Sequence, residues 1–247
     1  MAETRVETAV AAPPAEGYWA ESRRPLVSLI FTAPLLILYE LGLVTLREHA
    51  NRNGAEAWLR SFLDAIGFSQ YFLLPVLTVC ILLAWHHTTG QPWRFRRRVL
   101  LGMTAESATL AVCLLLLALL QNTILRSIAG ALPLSIADHL GTLTSYLGAG
   151  IYEELLFRLI LLPLAIGLLG WLGAGPKAGT IGGIVLISLL FAAAHHLGAY
   201  GEALNTFKFL FRFLAGAFFS VLFLYRGFGI AAGTHAGYDL LVGLSVG

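Results

Sequence analysis

Residues 142–169 read TLTSYLGAGIYEELLFRLILLPLAIGLL, a run that is apolar apart from Glu153, Glu154 and Arg158. A helix needs roughly 20 mostly apolar residues to cross the hydrocarbon core of a bilayer, and this run is longer than that. Inside a bilayer only helices and closed barrels satisfy the backbone hydrogen bonds, and an uninterrupted apolar run indicates a helix. The sequence therefore predicts a membrane-spanning helix that contains three charged side chains.

The composition of the whole chain leads to the same class of protein. Of the 247 residues, 57% are hydrophobic and 12% are charged, and the mean hydropathy is +0.78. A soluble domain has about 25% charged residues, and a disordered chain is poor in large apolar residues. These values exclude an ordinary soluble enzyme and an intrinsically disordered chain. The net charge of +2 gives no indication of a nucleic-acid partner.

Six further apolar runs accompany the first, at 26–46, 70–87, 99–122, 179–197, 207–225 and 228–245. The sequence thus predicts an all-α fold, a polytopic transmembrane bundle of about seven spanning helices. Between the first two runs, at residues about 54–66, apolar side chains recur every three or four residues and charged side chains take the opposite face. This pattern predicts an amphipathic helix that lies along the membrane interface or packs on the bundle. Residues 1–22 are predicted to form a flexible tail, and residues 23–141 to hold three accessory spans.

Lys and Arg residues predict the orientation, because cytoplasmic loops carry an excess of them. The segment 93–98, between the second and third predicted spans, reads WRFRRR and favours a cytoplasmic N-terminus. The same basic segment is expected to attract anionic lipid. An N-terminus rich in Ala and Pro indicates a bacterial chain, so the predicted location is the inner membrane, with the lipid bilayer as one partner.

Charged groups inside the predicted spans cost about 2.5–3.5 kcal/mol each at a helix centre and therefore need a partner, a hydrated cavity or a chemical role. Glu154 and Arg158 are four residues apart and can pair on one helix face. Glu153 lies about 100° around the helix from Glu154, so it is expected to face a different environment. A carboxylate in a cavity can act as a general base, whereas the alternative is an ion-pair network that holds helices together.

Two further spans contribute imidazole and carboxylate groups. His195 follows Phe191 and three alanines, which allow close helix contact, and His235 precedes Asp239 by four residues on one face. Asp239 could orient the His235 ring, the pair could stabilise an oxyanion, or the two could simply satisfy each other. No His-Glu-x-x-His zinc motif occurs, and Ser188 lies about two turns before His195. Together the three spans favour attack by an activated water.

Glu-Glu-x-x-x-Arg at 153–158, Phe-x-x-x-His at 191–195 and His-x-x-x-Asp at 235–239 resemble, in this order, the three motifs of the CAAX-protease and bacteriocin-processing family. This family, also called CPBP or ABI, includes the type II CAAX prenyl endopeptidases. The resemblance implies a catalytic core at 142–247 with four helices and an intramembrane glutamic-type endopeptidase without a cofactor or metal. It implies the catalytic set Glu153, Glu154, Arg158, His195, His235 and Asp239.

Within this set the resemblance makes Glu153 the base that activates water, with His195 assisting. It makes Glu154 and Arg158 the groups that shape and neutralise the site, and it assigns His235 to the oxyanion. Asp239 must be protonated to donate a hydrogen bond there, or it serves only to orient His235. The implied substrate is a membrane-anchored protein or peptide, cut in a C-terminal tail, a leader or a sorting signal.

Two other classes of function stay open. A zinc peptidase could use Glu153, His195, His235 and Asp239 as ligands, since His and carboxylate are suitable zinc donors. A transporter or membrane chaperone could use buried acids and histidines without hydrolysis. Outside the motifs, Glu106 either borders the same cavity or pairs with a donor elsewhere in the chain. Glu40 is expected to reach towards water, and His196 to serve in packing or to support the site residues from behind.

Overall fold

The computed structural model describes residues 17–46, 52–125, 136–197 and 201–246, and every regular element in these ranges is helical. The first five helices are α1 (Tyr18–Ser22), α2 (Pro25–Leu46), α3 (Gly54–Ala65), α4 (Leu73–Thr88) and α5 (Arg97–Leu125). Helix α6 (Ile136–Gly148) continues through the π-helical segment Ala149–Leu161 into α7 (Leu162–Trp171). The last three are α8 (Pro176–Ala194), α9 (Thr206–Arg226) and α10 (Phe228–Val246). The predicted all-α bundle is confirmed.

Five helical stretches are long and apolar enough to span a membrane: Pro25–Leu46, Arg97–Gln121, Gly141–Trp171, Pro176–Ala194 and Thr206–Arg226. The two other predicted spans exist as helices, but Leu73–Thr88 has only 16 residues and Phe228–Val246 does not meet the same criterion among the described residues. Helix α10 is packed against α2, α5, α9 and the π-helical segment. Because protein rather than lipid surrounds much of it, it can carry Thr234, His235 and Asp239.

Glycine sets the distance between the two helical segments that carry most of the charged motif residues. A Cβ atom at Gly150 would lie 2.6 Å from the Cβ of Ala236 and 2.7 Å from its backbone nitrogen. Only glycine permits this approach of the π-helical segment to α10. The close contact brings the neighbourhood of Glu153 and Glu154 next to His235.

The π-helical form of Ala149–Leu161 departs from the regular α-helix that the sequence predicts. Such segments are rare, and they are found mostly as short stretches at functional sites. This one contains Glu153, Glu154 and Arg158, and Pro163 follows it in the first turn of α7, where a missing N–H is tolerated. Hydropathy and residue spacing do not distinguish a π-helix from an α-helix, so the π-helical form could not be predicted.

The first helix differs from the flexible tail predicted up to residue 22. Residues 1–16 lie outside the described ranges, but Tyr18–Ser22 is a helix in which Glu21 is buried and accepts a 2.6 Å hydrogen bond from Arg96 Nε. Tyr18 donates to Glu106 Oε2 at 2.5 Å. Burial, followed by this hydrogen bond, raises the pKa of Tyr18 to about 12. These tertiary contacts hold a helix that is too short to form on its own.

Glu106 has its partner in Arg226, which settles the alternatives left open by the sequence. Arg226 binds both carboxylate oxygens of Glu106, at 2.5 and 2.7 Å, and its guanidinium lies 3.9 Å from the ring centroid of Trp19. A bidentate pair of this kind is among the stronger charge-assisted contacts. Glu106 thus ties α5 to the end of α9 and to the N-terminal helix.

Helix α3 occupies the predicted amphipathic region and packs against the π-helical segment. Its Glu56 is fully buried between Arg52 and Arg60, at 2.5 Å from each, and also accepts a hydrogen bond from Tyr39. Phe62 stays 63% exposed on the helix. The helix therefore packs on the bundle at its N-terminal end and leaves an apolar surface free. Its position at the membrane interface remains a prediction.

Candidate active site

Three elements bring the motif residues together: the π-helical segment, the end of α8 and the middle of α10. Glu154 and Arg158 are fully buried, and Glu153 and His235 are nearly so. His195 is the first residue after α8, and its side chain is 27% exposed. The site is thus a mostly buried cluster that is open to solvent at His195.

Glu153 uses its two carboxylate oxygens differently. Oε1 accepts a 2.7 Å hydrogen bond from the Asn53 amide, at the start of α3. Oε2 is buried, has no hydrogen-bond partner in the described part of the chain, and lies 3.9 Å from His195 Nε2 and 3.7 Å from His235 Nε2. Both distances are too long for a direct hydrogen bond, and they suit a bridging water. One oxygen is therefore fixed by the protein and the other is available for chemistry.

His195 is held in a defined orientation by its own helix. Its Nδ1 lies 2.8 Å from the carbonyl oxygen of Phe191, one turn earlier. Because a carbonyl can only accept, Nδ1 carries the proton and Nε2 of the neutral ring is a lone-pair acceptor that faces Glu153. The spacing of Phe191 and His195 in the sequence motif thus has a direct structural reason.

His235 bridges the two carboxylates of the first motif. Its Nδ1 lies 2.7 Å from Glu154 Oε1, while its Nε2 points to Glu153 Oε2 at 3.7 Å and to Asp239 Oδ2 at 3.6 Å. Glu153 and Glu154 face different environments, as expected, because Glu153 lines a cavity whereas Glu154 is fully buried against Arg158. Both nevertheless approach the same imidazole, Glu154 at Nδ1 and Glu153 at Nε2. The carboxylate that orients the His235 ring is Glu154, at Nδ1. Asp239 lies on the Nε2 side of the ring, which also faces Glu153.

Arg158 neutralises Glu154 from within the same helix, as their spacing predicts. Its Nη1 lies 3.1 Å from Glu154 Oε1, and its Nη2 donates to the carbonyl of Gly216 at 3.4 Å. The guanidinium also lies 4.3 Å from the ring centroid of Phe191. A fully buried cation is tolerated only with such partners. The salt bridge therefore gives Glu154 a cationic partner inside the protein, and the ring contact helps to hold that cation in place.

Asn53 is the site residue that sequence reasoning missed. An Asn before an amphipathic run is readable as a helix N-cap, and its Oδ1 does accept a 2.8 Å hydrogen bond from the backbone of Ala55. Its amide reaches Glu153, which is 100 positions away in the chain. A contact of that range leaves no trace in local spacing.

Three other residues considered at the sequence level lie outside this cluster. Ser188 is buried and donates to the carbonyl of Ile184 at 2.6 Å, which removes it as a nucleophile. His196 contacts the carbonyl of Glu202 at 3.0 Å and stacks on Phe209, so it has a packing role. Glu40 was expected to reach towards water, but it accepts a 2.8 Å hydrogen bond from Tyr152, a residue of the π-helical segment.

The side of the cluster on which Glu153 faces the two histidines opens into a cavity of about 480 Å³. Glu153, His195, His235 and Asp239 line it, together with aromatic and basic residues of α9. A second, smaller opening of about 140 Å³ is lined by Glu153, His195 and the start of α3. Glu153, His195, His235 and Asp239 therefore border open space, whereas Glu154 and Arg158 lie behind them, fully buried. Within the described ranges no group of three His, Cys, Asp or Glu side chains has the arrangement of a metal site.

Comparisons with known proteins agree with the motifs. Residues 135–241 match the Rce1-like family, described as type II CAAX prenyl endopeptidase Rce1-like. No curated protein and no solved structure matches the chain. The matched residues include all three motifs and every residue of the predicted catalytic set. The resemblance is therefore confirmed over residues 135–241, the part of the chain that contains the three motifs.

Proposed function

We propose that this protein is a glutamic-type intramembrane endopeptidase that cuts a membrane-anchored protein with a water activated by Glu153 and His195. The observation that carries the proposal is the buried Oε2 of Glu153, which has no hydrogen-bond partner among the described residues and faces two imidazole nitrogens at 3.9 and 3.7 Å. An unsatisfied carboxylate oxygen beside an accessible cavity is suited to hold and deprotonate water. The family match supports a protease of this kind.

In the first step, a water between Glu153 Oε2 and His195 Nε2 gives a proton to the carboxylate while its oxygen attacks the carbonyl carbon of the substrate. The electron pair of the carbonyl moves to its oxygen, which becomes an oxyanion. The doubly protonated His235 ring donates from Nδ1 to Glu154 and from Nε2 to this oxyanion. A donor fixed before the reaction stabilises the developing charge without reorganisation.

In the second step, the proton taken from water passes to the nitrogen of the scissile amide, and the C–N bond breaks. The products are a new carboxyl terminus and a free amine. Asp239 is assigned to hold the Nε2 side of His235, from which it lies 3.6 Å away. Asn53 is assigned as a positioning residue, because its hydrogen bond to Oε1 keeps Oε2 of Glu153 turned towards the water.

We place the catalytic core at residues 142–247 and the accessory spans at 23–141, in a bacterial inner membrane with the N-terminus in the cytoplasm. The basic segment 93–98 supports this orientation, since Lys and Arg accumulate on the cytoplasmic side. The substrate is proposed to be a C-terminal tail, a leader or a sorting signal of another membrane protein. Among the residues that the structure describes, no group of His, Cys, Asp or Glu side chains favours the zinc alternative, and no observation favours transport.

The test is a comparison of membrane proteomes from cells that produce the wild type, Glu153→Gln or Asp64→Asn. Asp64 is exposed on α3 and serves as the matched carboxylate control. Uncut termini of one or a few membrane proteins should accumulate only with Glu153→Gln. Identical protein termini in all three strains would refute the proposal. Purified protein that loses activity in a chelator and regains it with Zn²⁺ would support the zinc mechanism instead.

A further inference from the structure

A cluster of three charged residues lies beside the proposed catalytic groups and has no part in the mechanism above. Glu202 accepts a 2.7 Å hydrogen bond from Lys208 Nζ and a 2.8 Å hydrogen bond from Arg212 Nη2. The backbone N–H of Glu202 also donates to the carbonyl of His195 at 2.9 Å. The backbone of the catalytic histidine thus connects this cluster directly to the site.

The cluster and the catalytic groups share one cavity. Lys208 and Arg212, one turn apart on α9, line the same 480 Å³ space as Glu153 and His235. Further along this face of α9, Phe219 stacks on the His235 ring with 4.5 Å between centroids. Helix α9 therefore presents two cations at one end of the cavity and a wall of the catalytic site at the other.

The charges within the cluster are unequal, because two cations face one carboxylate. Arg212 Nη1 is buried and has no hydrogen-bond partner in the part of the chain that the structure describes. The Glu202 side chain is 45% exposed and belongs to the non-helical residues 201–205, and the Lys208 side chain is 54% exposed, whereas the Arg212 side chain is only 18% exposed. Arg212 is thus the fixed member of the cluster, and the exposed Glu202 carboxylate can be exchanged for another anion.

We propose that Lys208 and Arg212 form a subsite for the free C-terminal carboxylate of the substrate, and that Glu202 occupies this subsite when no substrate is bound. The inference rests on the proposed peptidase function and narrows its substrate to chains that are cut close to their end. Arg presents paired N–H donors that match a carboxylate, and Lys adds a second charge. An incoming carboxylate replaces that of Glu202 without leaving either cation unpaired.

Helix geometry sets how far such a carboxylate lies from the reacting bond. Arg212 and Phe219 are seven positions apart, which corresponds to about 10 Å at 1.5 Å per residue. An extended peptide advances roughly 3.3 Å per residue. A carboxylate held at Arg212 therefore leaves only a few residues between itself and a peptide bond beside His235.

The test measures peptide binding separately from cleavage, in the inactive Glu153→Gln protein in detergent. The ligand is a mixed-sequence octapeptide pool with an N-terminal fluorophore, made once with a free C-terminal carboxylate and once with a carboxamide. Fluorescence anisotropy should show roughly tenfold tighter binding of the carboxylate pool, as expected for the loss of a hydrogen bond to a charged group. Arg212→Gln should reduce this ratio to about one, while Arg98→Gln, an exposed arginine on α5, should preserve it.

A second variant tests the role of Glu202. Glu202→Gln removes the internal competitor, so the carboxylate pool should bind more tightly than to the parent protein while the carboxamide pool changes little. Equal binding of the two pools, or a preference that survives Arg212→Gln, would overturn the inference. A preference that disappears on adding phosphatidylglycerol would assign the cluster to lipid phosphate and would also overturn it.

Cleavage assays separate this inference from the proposed function. Cleavage of both pools by the active protein with no carboxylate preference in binding or rate would leave the peptidase intact and refute the subsite. Carboxylate-selective binding without any cleavage by the active protein would leave the subsite intact and refute the peptidase.

Discussion

Asn53 allows the proposed mechanism to be tested through a residue outside the motifs. Its side chain makes two separable contacts: Oδ1 caps helix α3 through Ala55 N at 2.8 Å, and Nδ2 donates to Glu153 Oε1 at 2.7 Å. Ser and Asp are good helix N-caps, but neither carries the amide donor. The series Asn53→Ser, Asn53→Asp and Asn53→Ala therefore separates the structural contact from the catalytic one.

The magnitude follows from the chemistry of each contact. A hydrogen bond to a charged group contributes about 1.5–3 kcal/mol, and each 1.4 kcal/mol is a factor of ten in rate, so Asn53→Ser should lower kcat by roughly 10- to 150-fold. KM should change little, because Asn53 fixes the base and not the peptide. Asn53→Asp should be worse than Asn53→Ser, because it places a second carboxylate against Glu153. Asn53→Ala additionally loses the cap, which is worth about 1 kcal/mol of stability.

The assay compares kcat and KM on a quenched peptide with the melting temperature of each variant in the same detergent. We expect kcat to fall from the wild type to Asn53→Ser and further to Asn53→Asp. Among the wild type, Asn53→Ser and Asn53→Ala, the melting temperature should be lowest for Asn53→Ala. If Asn53→Ser retains wild-type kcat, the hydrogen bond does not position Glu153 and the assigned role is wrong. If kcat follows the melting temperature across the series, Asn53 acts only through the stability of α3.

Three further predictions concern the site and its surroundings. Glu153→Gln and His195→Ala should each abolish turnover while elution on size exclusion stays that of the wild type, and measurable turnover in either would remove that residue from the mechanism. Arg158→Met leaves the buried Glu154 without its cation and should lower the free energy of unfolding by about 3–5 kcal/mol. The double variant with Glu154→Gln should recover part of this loss, and an unchanged melting temperature in Arg158→Met would disprove the pair. Partial burial raises the pKa of Glu202, but hydrogen bonds from its two basic partners outweigh this and lower it to about 2 from 4.5. The ion pairs should therefore stabilise the wild type over Glu202→Gln above pH 4.5, and this difference should vanish as the pH falls from 4.5 towards 2; a difference independent of pH would contradict the assignment.

Hydropathy and helix spacing predict those features that depend on single segments. The apolar runs predict the bundle, because a lipid-facing helix must be apolar over its own length. The Glu154–Arg158 salt bridge follows from their four-residue spacing, and so does the contact of His195 with the carbonyl of Phe191. These relations lie within one helix and are therefore visible in the sequence.

Features that depend on the packing of distant segments were not predictable in the same way. Tyr18–Ser22 is too short and too polar to be recognised as a helix, and it exists through contacts with residues of α5 and α9. The amide of Asn53 meets Glu153 because α3 packs on the π-helical segment. Likewise, Glu154 orients His235 because Gly150 permits close contact with α10, which no local pattern expresses.

The polarity of α10 has a consequence for how the protein is made. Phe228–Val246 carries His235 and Asp239. Over its described residues, it is not among the helices that are long and apolar enough to span a membrane. We expect it to leave the translocon only together with partner helices that are already in the membrane and can receive its polar face. Since α10 follows the π-helical segment in the chain, Glu154 and Arg158 are synthesised before His235 and lack this partner until α10 has been made. The proposed hydrolytic site is therefore completed only when α10 packs against the helices that precede it.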